Sequence, residues 1–353
     1  VREIFSNSLD YSVGLVGSVV ISGTSPVTGV FQGFSVNNNA IISAALDENG
    51  NNVVSQFGGQ TLKRGLYWGL PKGKYFTSIT LSSGSLIAYG VRTTSPFDAD
   101  AQAFFNRVAT AGGTLSTTQQ AAIDTIVIQM KADGIWSKMK AVYPMVGASA
   151  ASCAQNLMSS DFTGTFSSGW AISEQGVEGN GASTYMLTGL NTRNNLAVND
   201  FHISIYTRTD APASSGVLMG NSDNNTTYLP IIQLYPRFTN GNLLVDLSDF
   251  NNRISVTNTV TKGFYIATRT SASMAKVFKN RNLFGSNTST QTQAYLPNTN
   301  IPIGAFFDSI SHGNSAAYQI SFASIGEGLS DLEAEKFYDA VQAFQTTLTR
   351  QVV

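Results

Sequence analysis

The chain has 353 residues and a single cysteine, Cys153, so no intrachain disulfide is possible. Its only histidines are His202 and His312, too few ligands for a Cys/His zinc site. Charged residues make up 12% of the sequence, about half the usual share of roughly 25%. The formal net charge is −1, and neither a basic block nor an acidic tail is present. Nucleic-acid binding needs clustered Lys and Arg, so it is not expected. No apolar run approaches the ~18 residues of a transmembrane helix, so membrane insertion is not expected either. The apolar stretch "YSVGLVGSVVISG" (11–23) is broken by glycines and reads as a buried strand. It also lacks the basic flank of a signal peptide. Because the sequence starts at Val1, N-terminal processing or truncation is expected. No internal repeat, heptad or collagen period is sustained.

Ser, Thr, Asn, Gln and Gly stand where charge is missing. A neutral polar surface of this kind suits an extracellular or particle-bound protein. Residues 1–94 alternate short β-prone runs with turns, such as "VFQGFSV", "AIISAALDENGNN" and "LKRGLYWGLPKGKYFTSITLSSGSLIAYG". They predict a small β-sandwich or barrel module of six or seven strands, with Ser83-Gly84 turning between two of them.

Residues 95–145 predict a short helical connector. Ala101, Phe104, Phe105 and Val108 share one helix face. Ser116 and Gln119 have capping-box spacing ahead of an Ala122, Ile123, Ile126, Val127, Met130 stripe, with Gly134 at the stop. "IWSKMKAVYP" reads as a third helix ended by Pro144. Apolar stripes on short helices demand partners, so the connector is expected to be packed and to fix the spacing of two β domains.

Residues 146–353 return to strand character, with ten or more short runs separated by Asn, Gly, Ser and Asp. They predict a jelly-roll sandwich. In "DFHISIYTRT", Phe201, Ile203 and Ile205 point one way and His202, Ser204 and Tyr206 the other, which makes His202 a surface or interface residue. A terminal helix follows Ser330, with Glu333 completing a capping box, Ala334, Phe337, Tyr338, Val341, Phe344 and Leu348 as its buried stripe, and Arg350 at its negative end.

The span from Gly179 onward, with "GNGASTYMLTGLN", "SIYTRT", "LMG" and "ISFASIGEGLSDLEAEKFYDAVQAFQTTL", resembles the concanavalin A-like (laminin G or legume-lectin type) jelly rolls of tailed-phage structural proteins. The segment from Asp98 to Gly147 resembles the helical connector that precedes such domains. The β-rich "GGQTLKRGLYWGLPKGKYFTSITLSSGSLIAYG" is similar to modules of head-fibre and decoration proteins. The resemblance implies a virion surface protein, a head fibre or capsid-decoration protein with an anchoring N-terminal module. Its partners would be other virion proteins such as the capsid, and it would form a homo-oligomer, a trimer by analogy with similar fibres. The alternative is a tail-fibre, receptor-binding protein that recognises host or mucosal glycans.

A third option, a polysaccharide depolymerase, needs two carboxylates roughly 5–10 Å apart. Related glucanases place three acids on one strand as Glu-x-Asp-x-x-Glu, and no such run occurs here. Glu174, Glu178, Asp246 and Asp249 fit turn or surface positions, and Asp246 and Asp249, three apart, fall on opposite strand faces. Cys153 sits in a small-residue linker without an activating base, and His312 falls in a loop. The expectation is therefore a non-enzymatic protein without a required cofactor. Lectin-like jelly rolls often hold calcium on rim loops, which nominates Asp223, Asn225 and Asp249; these are also ordinary turn formers. Trp170, Tyr228 and Tyr235 are candidates for stacking on a sugar, with core or interface packing as their other use.

Overall fold

The computed structural model describes residues 18–57, 59–71, 74–90, 97–223, 227 and 229–352. The chain divides into two compact units, Val1–Pro96 and Phe97–Val353.

Among the described residues, the first unit forms a four-stranded antiparallel sheet. Two long strands, Val27–Asp47 and Phe76–Gly90, pair along most of their length. Ser18–Ser22 and Tyr67–Gly69 form the edges. Ser83-Gly84 does not turn the chain, contrary to the sequence expectation. Gly84 lies within one continuous strand at φ +82°, and a Cβ there would stand 2.0 Å from the Asn39 carbonyl oxygen. The glycine lets the strand bend against its partner instead of reversing. Ile21, Phe34, Phe76, Ile79, Leu86 and Ala88 are fully buried in this unit's core. Residues 11–17 of the N-terminal apolar stretch and the middle of the "LPKGK" turn lie outside the described residues.

The second unit is a two-sheet antiparallel β-sandwich of jelly-roll type carrying a helical layer. In the first sheet the strands run, in spatial order, Asn282–Asn287, Met274–Lys279, Gly263–Ser271, Phe201–Thr207 and Gln319–Gly326. The far edge of the last strand is shared by Gly176–Glu178 and Met139–Tyr143. The second sheet runs Ile254–Thr257, Asn242–Ser248, Ile231–Tyr235, Met219–Ser222, Asn300–Ile303, Met186–Asn191 and Thr165–Phe166. A short pair, Phe306–Phe307 with His312–Gly313, attaches beside Met219–Ser222. Between the sheets lie Phe201, Ile203, Ile205, Met219, Ile232, Leu234, Val245, Ile303 and Ile325, among others.

Five helices accompany the sandwich: α1 (Ala99–Thr110), α2 (Thr117–Ala132), α3 (Ala150–Cys153), α4 (Thr192–Asn195) and α5 (Asp331–Thr347). Both expected capping boxes form, Ser116 with Gln119 and Ser330 with Glu333. The predicted stripes of α1 and α2 are buried. They join Phe337, Val341 and Phe344 of α5 against Tyr206, Phe264, Ile266, Phe278 and Phe322 of the first sheet. Phe337 sits edge-on to Phe264 at 5.4 Å, with Phe322 at 6.0 Å. The helices expected as a separate connector are thus built into the second unit as its third layer.

This layer corrects three expectations. "IWSKMKAVYP" is a single 3₁₀ turn, Trp136–Lys138, followed by the strand Met139–Tyr143. The strand pairs with Gln319–Gly326, and both of its faces meet apolar layers. His202 is fully buried, not at the surface, because the helices cover the face it points to. Its Nδ1 donates to the Glu327 carbonyl at 2.6 Å, and its Nε2 accepts from the Ser324 hydroxyl at 3.0 Å. Arg350, expected to complement the helix dipole, is also fully buried. Its Nη1 donates to the Met145 carbonyl at 2.7 Å, and its Nη2 donates to those of Pro144 and Ser321, both at 3.1 Å. Arg350 therefore locks the chain after α5 to the end of the edge strand.

Candidate functional site

The strongest surface constellation is built around the short pair Phe306–Phe307 and His312–Gly313. The His312 ring stacks on Tyr185 at 3.9 Å with 10° between planes. On its other side it stacks on Phe307 at 4.6 Å and 24°. Register produces this stack. Met186 enters the inter-sheet core, so Tyr185 before it points away from that core. Phe307 and His312 are directly paired across the small hairpin. Trp170 adjoins this stack through the backbone: its indole Nε1 donates to the Tyr185 carbonyl at 3.2 Å, while its ring meets Phe166 edge-on at 5.6 Å and both pack against the inter-sheet core. Gly304, at φ +80°, makes room for that indole; a Cβ there would lie 2.6 Å from its ring.

All five residues are partly buried, and the His312 ring lies between those of Tyr185 and Phe307. Ser167, Asn180 and Ser183 flank Trp170 and Tyr185 with hydroxyl and amide groups. The His312 Nε2 is buried without a hydrogen-bond partner among the described residues. Burial holds the His312 imidazole below its usual pKa, against the opposing pull of Asp308. Burial also disfavours ionisation of Asp308, but the N–H groups of Ser311 and Ile310 outweigh it and keep its carboxyl below the usual range. The stack offers partly exposed rings beside hydroxyl-sized donors and acceptors, while the His312 Nε2 stays buried within it.

Of the residues nominated from sequence, Trp170 adjoins this stack. Tyr235 does not: it is buried with Val217, Ile231, Leu244 and Phe306, edge-on to Phe238 at 5.3 Å. Tyr228 and Asn225 lie outside the described residues. Asp223 and Asp249 occupy the same rim of the second sheet, following Ser222 and Ser248, which pair with Ile231 from either side. Two strand spacings, about 10 Å, separate the backbones of Ser222 and Ser248. Both carboxylates are occupied. Asp223 accepts from Arg193 Nη2 and the Asn298 N–H. Asp249 accepts from the Asn252 N–H at 3.1 Å and from the Thr292 N–H and hydroxyl at 2.6 and 2.8 Å. Among the described residues, no group of three or more His, Cys, Asp or Glu could hold a metal ion.

Of the acids considered for hydrolysis, Asp246 and Asp249 are buried, not at the turn or surface positions expected, and Asp249 lies close enough to raise the Asp246 carboxyl. Asp246 accepts two hydrogen bonds from Arg253, at 2.8 and 2.7 Å, and burial pushes its carboxyl up against the pull of that arginine. Glu174 accepts from Gln119 of α2, and Glu178 lies exposed on the Gly176–Glu178 strand. The Cys153 thiol is buried, donates to the Val146 carbonyl at 3.4 Å, and is pushed by burial up to about 12. Sequence reasoning missed Tyr185, Phe307 and His312. The local signal was "AFFDSISHG", two aromatics and a histidine in one short hairpin.

The fold class so defined is a mainly-β chain whose second unit is a jelly-roll sandwich. No family model matches the chain, and no curated protein matches it. Among solved structures it is similar to domain 4 of AbnA, a GH43 extracellular arabinanase from Geobacillus stearothermophilus in complex with arabinotriose. The identity is 14% over 57% of this chain and 98% of that one, with a TM-score of 0.43. The CBM40 of the Ruminococcus gnavus IT-sialidase, bound to alpha2,6 sialyllactose, is 14% identical over 45% of this chain and 96% of that one, with a TM-score of 0.37. The botulinum neurotoxin serotype D binding domain is 13% identical over 58% of this chain and 52% of that one, with a TM-score of 0.43.

Proposed function

We propose that the chain is a non-catalytic binding and display protein whose second unit holds a carbohydrate on the strip formed by Trp170, Tyr185, Phe307 and His312. The observation that carries this reading is the half-exposed ring stack of Tyr185, His312 and Phe307. Sugar rings present C–H faces to aromatic planes and hydroxyls to polar neighbours, and this strip supplies both. Binding without turnover fits the positions of the acids, since Asp246 is engaged by Arg253 and Glu174 by Gln119. Calcium has no part in this reading, because a cation at Asp223 would have to displace the Arg193 guanidinium.

The setting we propose is the exterior of a tailed-phage particle, as a head fibre or decoration protein or as a receptor-binding tail fibre. The resemblance in segment order and the low-charge polar composition support it. A homo-oligomer, as a trimer, belongs to the same proposal, and light scattering of the purified chain measures it. Immunogold labelling of intact particles distinguishes head from tail.

The binding reading is tested on a glycan array with the wild-type chain and the Trp170→Ala and Tyr185→Ala variants. Saturable binding to a defined glycan class, lost in both variants while their unfolding transitions persist, is the expected result. Wild-type binding that survives both substitutions would remove the strip from the proposal.

A further inference from the structure

At the end of the sandwich where Met274–Lys279 of the first sheet finishes, the Lys279 side chain reaches Asn258, which follows Ile254–Thr257 of the second sheet. The Lys279 Nζ lies 2.8 Å from the Asn258 Oδ1 and also donates to the Val260 carbonyl. Its flanks are aromatic, with Tyr265 at 5.5 Å and Phe284 at 5.3 Å. Asn258 is 1% exposed. Its Nδ2 donates to the Pro236 carbonyl at 2.7 Å and to the Tyr265 hydroxyl at 2.9 Å. The Pro236 carbonyl can only accept, which fixes the amide with its oxygen toward Lys279. The Asn258 backbone is held as well, by Arg237 Nε donating to its carbonyl at 2.7 Å and by its own N–H donating to Gly241 at 3.0 Å.

We propose that Lys279 and Asn258 are joined by an intramolecular isopeptide bond, formed by attack of the lysine Nζ on the asparagine Cγ with loss of ammonia. The Lys279 Nζ already contacts the oxygen of the carbonyl whose carbon it would attack, so the two groups are held together before reaction. The nucleophile is the neutral amine. Burial pushes Lys279 down to about 8, with Asp210 opposing and Arg237 reinforcing that shift, so a sizeable fraction is neutral in mild alkali. The new bond is Nζ–Cγ and the broken bond is Cγ–Nδ2. A lysine ammonium and a primary amide become a secondary amide and an ammonium ion, so atoms and charge balance without an oxidant or co-reactant. The Tyr265 hydroxyl accepts from the leaving nitrogen at 2.9 Å and donates to the Thr261 carbonyl at 2.9 Å, so it passes a proton to that nitrogen only by turning its O–H from Thr261. Burial keeps this phenol in its neutral, proton-donating form. Burial of Asn258 also excludes the water that would reverse the step. The product would bond the second strand of one sheet to the loop that follows the edge strand of the other.

The test is intact-mass measurement of the denatured wild-type chain, fresh and after incubation of the folded protein at pH 9, followed by peptide mapping. We expect a mass lower by one ammonia and a branched peptide joining the segments that carry Lys279 and Asn258. Lys279→Arg should keep the full mass, and Tyr265→Phe should convert more slowly. Loss of ammonia can also arise from cyclisation at an asparagine elsewhere, so a deficit that persists in Lys279→Arg overturns the proposal. Full mass and separate linear peptides after prolonged incubation of the folded wild type overturn it equally.

Discussion

Acidification should weaken the second unit through one residue, His202. Its imidazole is fully buried between the first sheet and α5, edge-on to Phe337 at 6.1 Å. Both ring nitrogens are engaged in a pattern that suits the neutral tautomer with the proton on Nδ1. Burial, with a smaller contribution from Lys138, pushes the group from 6.5 down to about 4. Below pH 6.5 the unfolded chain therefore takes up a proton that the folded chain refuses until about pH 4. The unfolded state binds more protons across that window, so stability falls as pH falls. The full difference corresponds to about 3 kcal/mol, of which roughly 2.5 kcal/mol should be lost between pH 7 and pH 4.5. His202→Gln keeps an amide donor and acceptor in the site but cannot titrate. Urea unfolding followed by circular dichroism at several pH values should show the two stability curves converging on acidification. Carboxylates act on both proteins alike, so the difference isolates His202. Curves that stay parallel within about 0.5 kcal/mol would refute the assignment of the shift to burial.

Further outcomes follow from the same structure. Phe337→Ala opens a cavity among Phe264, Phe322 and Phe344 and should destabilise the second unit by about 3–5 kcal/mol in the same unfolding assay. Arg253→Ala leaves the Asp246 carboxylate buried without its partner; a loss of about 2–4 kcal/mol at pH 7, shrinking in acid as the carboxyl protonates, is expected. Gly304→Val places a branched side chain against the Trp170 ring at a left-handed backbone position, so tryptophan fluorescence should shift and glycan binding should fall together. Calcium or a chelator should leave Tm unchanged, because the carboxylates of Asp223 and Asp249 are already saturated by protein donors.

Local chemistry explains what could be read ahead of the structure. Ser116 with Gln119 and Ser330 with Glu333 carry their capping signal within four residues, and the α1 and α2 stripes follow the helical period. The same local reasoning misplaced Met139–Tyr143, because strong helix formers there were overruled by pairing with a strand about 180 residues away. It misread His202 for a related reason. Alternation shows which residues share a face but not whether a second layer covers that face. The long strands of the first unit looked like several short ones because Gly84 reads as a turn unless its partner at Asn39 is known. The ring strip was least legible. Tyr185 lies more than a hundred residues from the hairpin that carries Phe307 and His312, and the three rings meet only through sheet register. Trp170 could be nominated singly, and Tyr235 looked equivalent until its burial beside Ile231 and Leu244 was seen.

The central claim is that the Trp170–His312 strip holds a carbohydrate and leaves it chemically intact. Isothermal titration of the strongest array glycan into the wild type and Trp170→Ala, with chromatography of the recovered sugar, addresses both halves at once. The account predicts saturable binding, weakened at least about tenfold (~1.4 kcal/mol) in the variant, and a sugar recovered unshortened. Equal affinity in both proteins, or cleavage products from the wild type, would contradict it.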